Sequence, residues 1–345
     1  MRPALKPGLA TVWRNRDTVQ IGIDPRRAIA LTGMRGAAGL LRLLDGSRDR
    51  HQVLAAAGDL GMDAIAADRV LTLLAAAGAL DDCPAGGHGA LSAGMRARLA
   101  PELAATSLAH RDADGGAQTL ARRQAARVRV HGASRAGLWI AGLLSAAGVG
   151  LVLSTGPAAP PPGPAGAATP PPPAEPGAAT GRTGTVTGRP GPGTGPQSQS
   201  RRPADLVILA DSHGRELPGV LVSHAVPHLA ASASEAIGVV GPLVLPGRSA
   251  CLRCLDLART ERDPAWPLIL AQLASQAATD PRGCDTVLAT MVAAQAAAQA
   301  LAFLDQGAEA AAAVTNGTLE LVLPGWQWRR RTWQPHPQCG CQHQA

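Results

Sequence analysis

The 345-residue chain sets 32 Lys and Arg against 25 Asp and Glu for a net charge of +7, and is 46% hydrophobic but only 2% aromatic. Ala, Leu and Val must fill its core, and the length suffices for two domains plus linkers. Its arginines are dispersed and few rings are present to stack on bases, which weighs against nucleic-acid binding.

In chain order, Thr11–Arg14, Val19–Ile23 and Ala28–Leu31 read as short strands around polar turns. Met34–Leu44, His51–Ala57 and Ala64–Ala77 follow as helices with apolar residues three and four apart, stopped by Asp45-Gly46-Ser47, Gly58 and Gly78. Strands followed by three short helices predict a winged-helix domain over 1–82. Residues 83–127 are rich in Ala, Gly and Arg, weakly patterned, and read as a linker. A third region, 128–345, opens with strand Val128–Val130, helix Arg135–Ala147 and strand Val149–Leu153, the βαβ start of a mostly parallel sheet. Its apolar run Gly137–Leu153 is shorter than the roughly 20 residues of a membrane span. Thirteen of the 29 prolines fall within 151–200. The stretch 155–203 is therefore expected as a disordered insert, too poor in apolar area to offset its ordering entropy. Beyond it, Asp205–Ala210, Leu221–Ser223, Ile237–Leu245 and Thr318–Leu323 read as strands, and Leu288–Leu304 as a helix on the sheet.

The most specific motif is a pair of pairs. Cys251 and Cys254 form a CxxC, and Cys339 and Cys341 a CxC near the C-terminus. Each pair can hold two corners of a tetrahedron, so the four predict a structural zinc site clipping the tail to the middle of the chain. Cys83 and Cys284 stand alone, which argues against a disulfide framework and for a reducing cytoplasm. Met1–Asp17 has no apolar signal core.

The strand-to-helix turn His131–Gly137 sits where a dinucleotide loop would. Gly132 and Gly137 fit GxGxxG, Ser134 replaces the middle glycine, and Arg135 follows. The next strand ends in Leu153-Ser154 without the acid that grips a ribose. Asp211, after a strand, is placed to hold magnesium or to cap a turn. His213, His224 and His228 lack ligand spacing and read as loop and surface histidines. No GxSxG elbow or Ser/His/Asp ordering is present, so no self-sufficient catalyst is legible.

Val240-Gly-Pro-Leu-Val-Leu-Pro-Gly247, Cys251-Leu-Arg-Cys254-Leu-Asp-Leu, Arg262-Asp-Pro-Ala-Trp-Pro267 and His336-Pro-Gln-Cys-Gly-Cys341 resemble the ThiF-like cyclodehydratase partner proteins of thiazole/oxazole-modified peptide clusters. The resemblance implies an α/β fold like that of ubiquitin-activating and ThiF-type enzymes, with zinc on the four cysteines. It also implies a winged-helix element that takes a precursor's leader peptide as an added strand. On this chain the edge would be Ala28–Thr32, that is Ala28, Ile29, Ala30 and Leu31 with Arg26 and Arg27 at its start. The helix Ala64–Ala77, bearing Arg69 and Leu73, would form the far wall. The arginines would suit an acidic leader. The implied partners are the leader peptide, a YcaO-type cyclodehydratase and a second copy of the chain, with neither membrane nor nucleic acid. The degenerate glycine loop weighs against ATP and implies a scaffold not catalytic alone. An ATP-dependent adenylyltransferase stays open as the alternative.

Overall fold

The computed structural model describes residues 1–33, 36–83, 92–132, 134–154, 202–210, 216–276 and 284–343. The expected insert lies almost wholly outside these, as do Asp211 and His213. The chain divides into two compact units, 1–125 with 146–150 and 126–145 with 151–345.

The first unit contains β1 (Pro3–Leu5), β2 (Thr11–Asn15), β3 (Thr18–Ile21), β4 (Ile29–Thr32), α1 (Ala37–Leu43), α2 (Arg50–Asp59), α3 (Ala64–Ala76), β5 (Leu80–Asp82), α4 (Ala93–His110) and α5 (Ala117–Ala125). Strands β2, β3 and β4 form an antiparallel three-stranded sheet, and β1 pairs antiparallel with β5. Asp49 starts α2 with a capping box, accepting from the Gln52 N–H while Gln52 reaches back to the Asp49 N–H. Asp63 and Ser92 cap α3 and α4. Val19, Ile21 and Leu31 pack with Leu40, Val53, Leu71 and Leu74 into one core. Leu99, Leu103 and Leu120 of α4 and α5 form a smaller one, so 93–110 and 117–125 are helices packed on each other.

A buried ion pair fastens this unit. The Lys6 ammonium is wholly enclosed and donates to Asp81 Oδ1 at 2.5 Å, to the Asp112 carbonyl at 2.6 Å and to the Ser107 carbonyl at 3.1 Å. It also donates to Ser107 Oγ, which in turn donates to Asp81. All three ammonium protons have acceptors, the condition for burying a charge.

The second unit contains β6 (Arg127–His131), α6 (Arg135–Ala146), β7 (Leu151–Ser154), β8 (Leu206–Ala210), α7 (Glu216–Ser223), β9 (His228–Ser234), β10 (Ile237–Val244), α8 (Leu252–Thr260), α9 (Trp266–Gln276), α10 (Thr286–Gln306), β11 (Gly317–Val322) and β12 (Gln327–Thr332). Its seven-stranded sheet runs β12-β11-β10-β9-β8-β6-β7. Only the β7–β6–β8–β9 part is parallel, while β9–β10, β10–β11 and β11–β12 are antiparallel. This corrects the mostly parallel sheet expected. The reason lies in the connections: Glu235 and Ala236, both at positive φ (53° and 60°), close β9 onto β10 in a two-residue turn. A turn that short joins only antiparallel strands.

Leu221–Ser223, expected as a strand, is the end of α7. Parallel strands β8 and β9 need a crossover, and α7 supplies it, packing Leu221 on Val207, Leu209 and Leu252. Among the described residues α10 alone is long and apolar enough to cross a membrane. It lies instead on β9 and β10, burying Leu288, Val292, Ala296 and Ala300. Gly238 permits this approach, since a Cβ there would sit 2.5 Å from Val292 Cγ2.

Candidate metal centre and strand edge

The four cysteines predicted as ligands converge. Cys251 and Cys254 sit at the N-terminal turn of α8, and the chain beyond β12 folds back to bring in Cys339 and Cys341. Gly340, at φ 73°, makes the tight turn between the last two. All four are buried and their sulfurs lie within 4.8 Å of one another. Measured contacts are 3.4 Å for Cys251–Cys339, 3.5 Å for Cys254–Cys341 and 3.8 Å for Cys251–Cys254. Disulfide sulfurs stand about 2.05 Å apart. Sulfurs about 2.3 Å from a shared tetrahedral zinc stand roughly 3.8 Å apart. The cluster therefore fits a four-thiolate metal with no position left for substrate.

Its electrostatics agree. The hydrogen bond from Cys251 pulls the Cys254 thiol down to about 4, whereas burial pushes Cys339 up to about 11. The same hydrogen bond drives Cys251 far upward. Four buried sulfurs cannot all ionise without a cation among them. The surrounding shell holds the returning tail. Trp333 donates to Thr318 Oγ1 at 3.0 Å, and His336 meets Glu261 at 2.9 Å. The Arg259 guanidinium lies 4.9 Å from the Trp266 ring centre and 5.4 Å from that of Trp333.

The glycine loop is explained by packing. A Cβ on Gly132 would fall 1.9 Å from the Ala210 carbonyl oxygen, and one on Gly137 would fall 2.9 Å from Ala210 Cβ. Both glycines let β6 and α6 approach β8. Ser134 Oγ accepts from the Gly137 N–H at 3.1 Å at the start of α6, and Arg135 bonds Thr286. His228 is not a surface histidine as expected: it opens β9, is fully buried, and its Nδ1 meets the Val226 carbonyl at 3.0 Å. Burial pushes its pKa down. His224 is exposed, as read.

The expected peptide edge is β4. It pairs with β3 on one side, and among the described residues no strand pairs its other side. Ala30 and Thr32 are exposed and Ile29 half-buried, but Leu31 is 5% exposed and belongs to the core, so its side chain cannot meet a ligand. On α3, Arg69 and Leu73 are exposed together with Ile65, at four-residue spacing on one face. Ala28 closes the preceding turn, its N–H bonded to the Asp24 carbonyl. Arg26 is engaged by Asp24, which it grips through Nε and Nη2 and whose pKa it lowers. Arg27 reaches the Leu108 carbonyl at 3.4 Å.

Of the other sheet edges, β12 has the opposite character. The run Arg329-Arg330-Arg331 lies on it, with Arg330 donating to the Ala313 carbonyl at 3.0 Å and Arg331 4.3 Å from the Trp333 ring centre. Charged residues on an edge discourage strand addition, whereas the neutral β4 leaves its backbone open to it.

No protein-family profile and no curated protein matches the sequence. Solved structures do. The heterocyclase TruD matches at 17% identity and TM-score 0.60 over 99% of this chain and 42% of its own. A heterocyclase in complex with substrate and cofactor matches at 14% and 0.59 over 96% and 38%. MccB of E. coli, solved with AMPCPP and MccA, matches at 11% and 0.61 over 99% of both chains. The chain thus spans about two fifths of the heterocyclases and nearly all of MccB. At these identities the likeness shows the fold, which is the ThiF-like α/β architecture expected.

Proposed function

We propose that the chain is a leader-peptide-binding component of a machine that modifies ribosomally made peptides. Residues 1–82, acting as a winged-helix recognition element, take the precursor's leader as an added strand on β4. Residues 83–127 link them to the ThiF-like domain, 128–345, which docks on a separate YcaO-type cyclodehydratase. That partner spends ATP to turn Cys, Ser or Thr of the core peptide into azolines. Zinc on Cys251, Cys254, Cys339 and Cys341 is structural, the chain is not catalytic alone, and the complex works in the cytoplasm, with pairing of two copies.

The observation that carries this reading is the unpaired, uncharged β4 edge. An extended peptide gains a row of main-chain hydrogen bonds there, and side-chain pockets supply specificity. Holding the leader raises the effective concentration of the core peptide at the partner's active site. Structural likeness to TruD supports the pathway.

The test is binding of a labelled precursor encoded beside this protein, followed by anisotropy. Ala30→Pro should abolish it, because proline on an edge removes a donor and blocks pairing. Unchanged binding in that variant would refute the edge. A second reading, an ATP-dependent adenylyltransferase, is favoured by the end-to-end match to MccB. ATP–pyrophosphate exchange by the purified chain would establish it in place of the first.

A further inference from the structure

The first unit contains a cleft of about 540 Å³ between the β3–β4 turn, residues 8–10 and the end of α4. That volume lies within the roughly 300–1,000 Å³ of ligand sites. Gly8 makes room for its wall, since a Cβ there would lie inside the Leu108 side chain. The turn at its mouth is fixed: the N–H groups of Arg27 and Ala28 bond the Asp24 carbonyl at 2.9 and 2.8 Å, and that of Arg26 bonds the Asp24 carboxylate at 3.0 Å.

Charge and polarity are divided within it. Asp24 is the cleft's one acid, and Arg26 already neutralises it in a forked pair. Arg27 and Arg111 are exposed, line the cleft, and form no salt bridge among the described residues. Arg27 commits one donor to the Leu108 carbonyl, leaving four of the five that a guanidinium carries. Arg111 is held at the left-handed C-cap of α4, with its side chain beside Gly78. Apart from these charged residues the lining is apolar or glycine. Leu9 and Leu108 are half-buried, and Ile23 is 75% exposed, uncovered by any part of its own unit. A large exposed apolar side chain that shares a cleft with two cations is an anchor site for a complementary chain.

The position joins this cleft to β4. The chain leaves β3 at Ile21, lines the cleft from Gly22 to Arg27, and enters β4 at Ile29. A peptide paired along β4 therefore runs off the strand's first residue beside the cleft.

We propose that this cleft is an acidic-peptide subsite, in which Arg27 and Arg111 take the carboxylates of an acid–apolar–acid segment and Leu9, Ile23 and Leu108 take its apolar side chain. The inference rests on the reading of β4 as a peptide edge and adds the class of segment that follows the paired stretch. It also replaces Arg26, the residue the sequence pointed to, with Arg111.

Three labelled synthetic peptides test it on the full chain. They share a Val/Thr-rich pairing stretch and end in Glu-Leu-Glu, Gln-Leu-Gln or Lys-Leu-Lys. The Glu peptide should bind about ten-fold tighter than the Gln peptide at low salt, and the gap should close as salt screens the charges. Arg27→Glu and Arg111→Glu should each weaken the Glu peptide about five- to ten-fold, with Arg26→Glu near neutral. The double variant Arg27→Glu/Arg111→Glu should bind the Lys peptide in its place, a gain that misfolding cannot produce. Equal binding of Glu and Gln peptides, or no change in the charge-reversed variants, overturns the subsite. If Ala30→Pro still abolishes binding in that case, the strand edge survives without the cleft. If no peptide binds at all, both fall.

Discussion

The two units each fasten a chain end to distant sequence, and they do so by opposite chemistry. In the first, Lys6 reaches Asp81 and Ser107, 75 and 101 residues away, through a buried ion pair. In the second, Cys339 and Cys341 return to Cys251 and Cys254 across 88 and 87 residues through four sulfurs. The ion pair is complete in itself, its acceptors all supplied by the chain. The sulfur cluster has the geometry of a four-thiolate metal site, and with the proposed zinc its strength would depend on metal and redox state. On that reading the first unit would keep its fold in conditions where the second unit loses its tail.

The sharpest way to break this contrast is to remove the proposed metal clip. Structural zinc supplies about 10–16 kcal/mol of apparent folding energy in small domains. Cys254→Ser, or a strong chelator, should expose residues 333–343 to protease and lower the urea midpoint of the second unit. The transition of the first should be unmoved. Conversely, Lys6→Met strands the Asp81 carboxylate in an enclosed site and should cost the first unit about 3–5 kcal/mol in urea melts. Adding Asp81→Leu should restore most of that, because the cost belongs to the unpaired charge. If either variant melts both units together, the contrast is wrong.

A smaller effect concerns His228. Burial holds its folded pKa below the ordinary 6.5. The unfolded chain therefore binds the extra proton, and this stabilisation, present above pH 6.5, is lost as pH falls below it. The second unit should weaken by up to about 1.4 kcal/mol per pH unit in that window. In His228→Gln, melts between about pH 7.5 and 5.5 should lack this part of the slope. Smallest is Asp49→Ala, which removes the capping box of α2 and should cost the first unit about 1 kcal/mol.

The same contrast governs what could be read in advance. The four-sulfur cluster was legible because two close cysteine pairs match the two-plus-two spacing of a tetrahedral metal site. The ion pair was invisible: nothing in the sequence marks Lys6 as buried, since its partners come from β5, α4 and the residue after its cap. Arg111 was missed for the same reason, lying in a stretch read as linker. The Asp24 pairing of Arg26 was likewise unmarked, though the two lie only two residues apart.

Short-range patterning by itself determined the helices α1, α2 and α3, the strands β2 to β4 and β6 to β8, the glycines at the β6–α6 turn and the identity of the four ligands. These follow from periodicity, steric freedom and donor chemistry, all of which act over a few residues. Only the tertiary structure decided that half of the large sheet is antiparallel, that 221–223 completes a helix, that Leu31 faces inward, and that the β4 edge is neutral while the β12 edge is lined with arginine. Strand direction, burial and charge pairing are set by segments far apart in the chain. Their energies arise only once those segments meet.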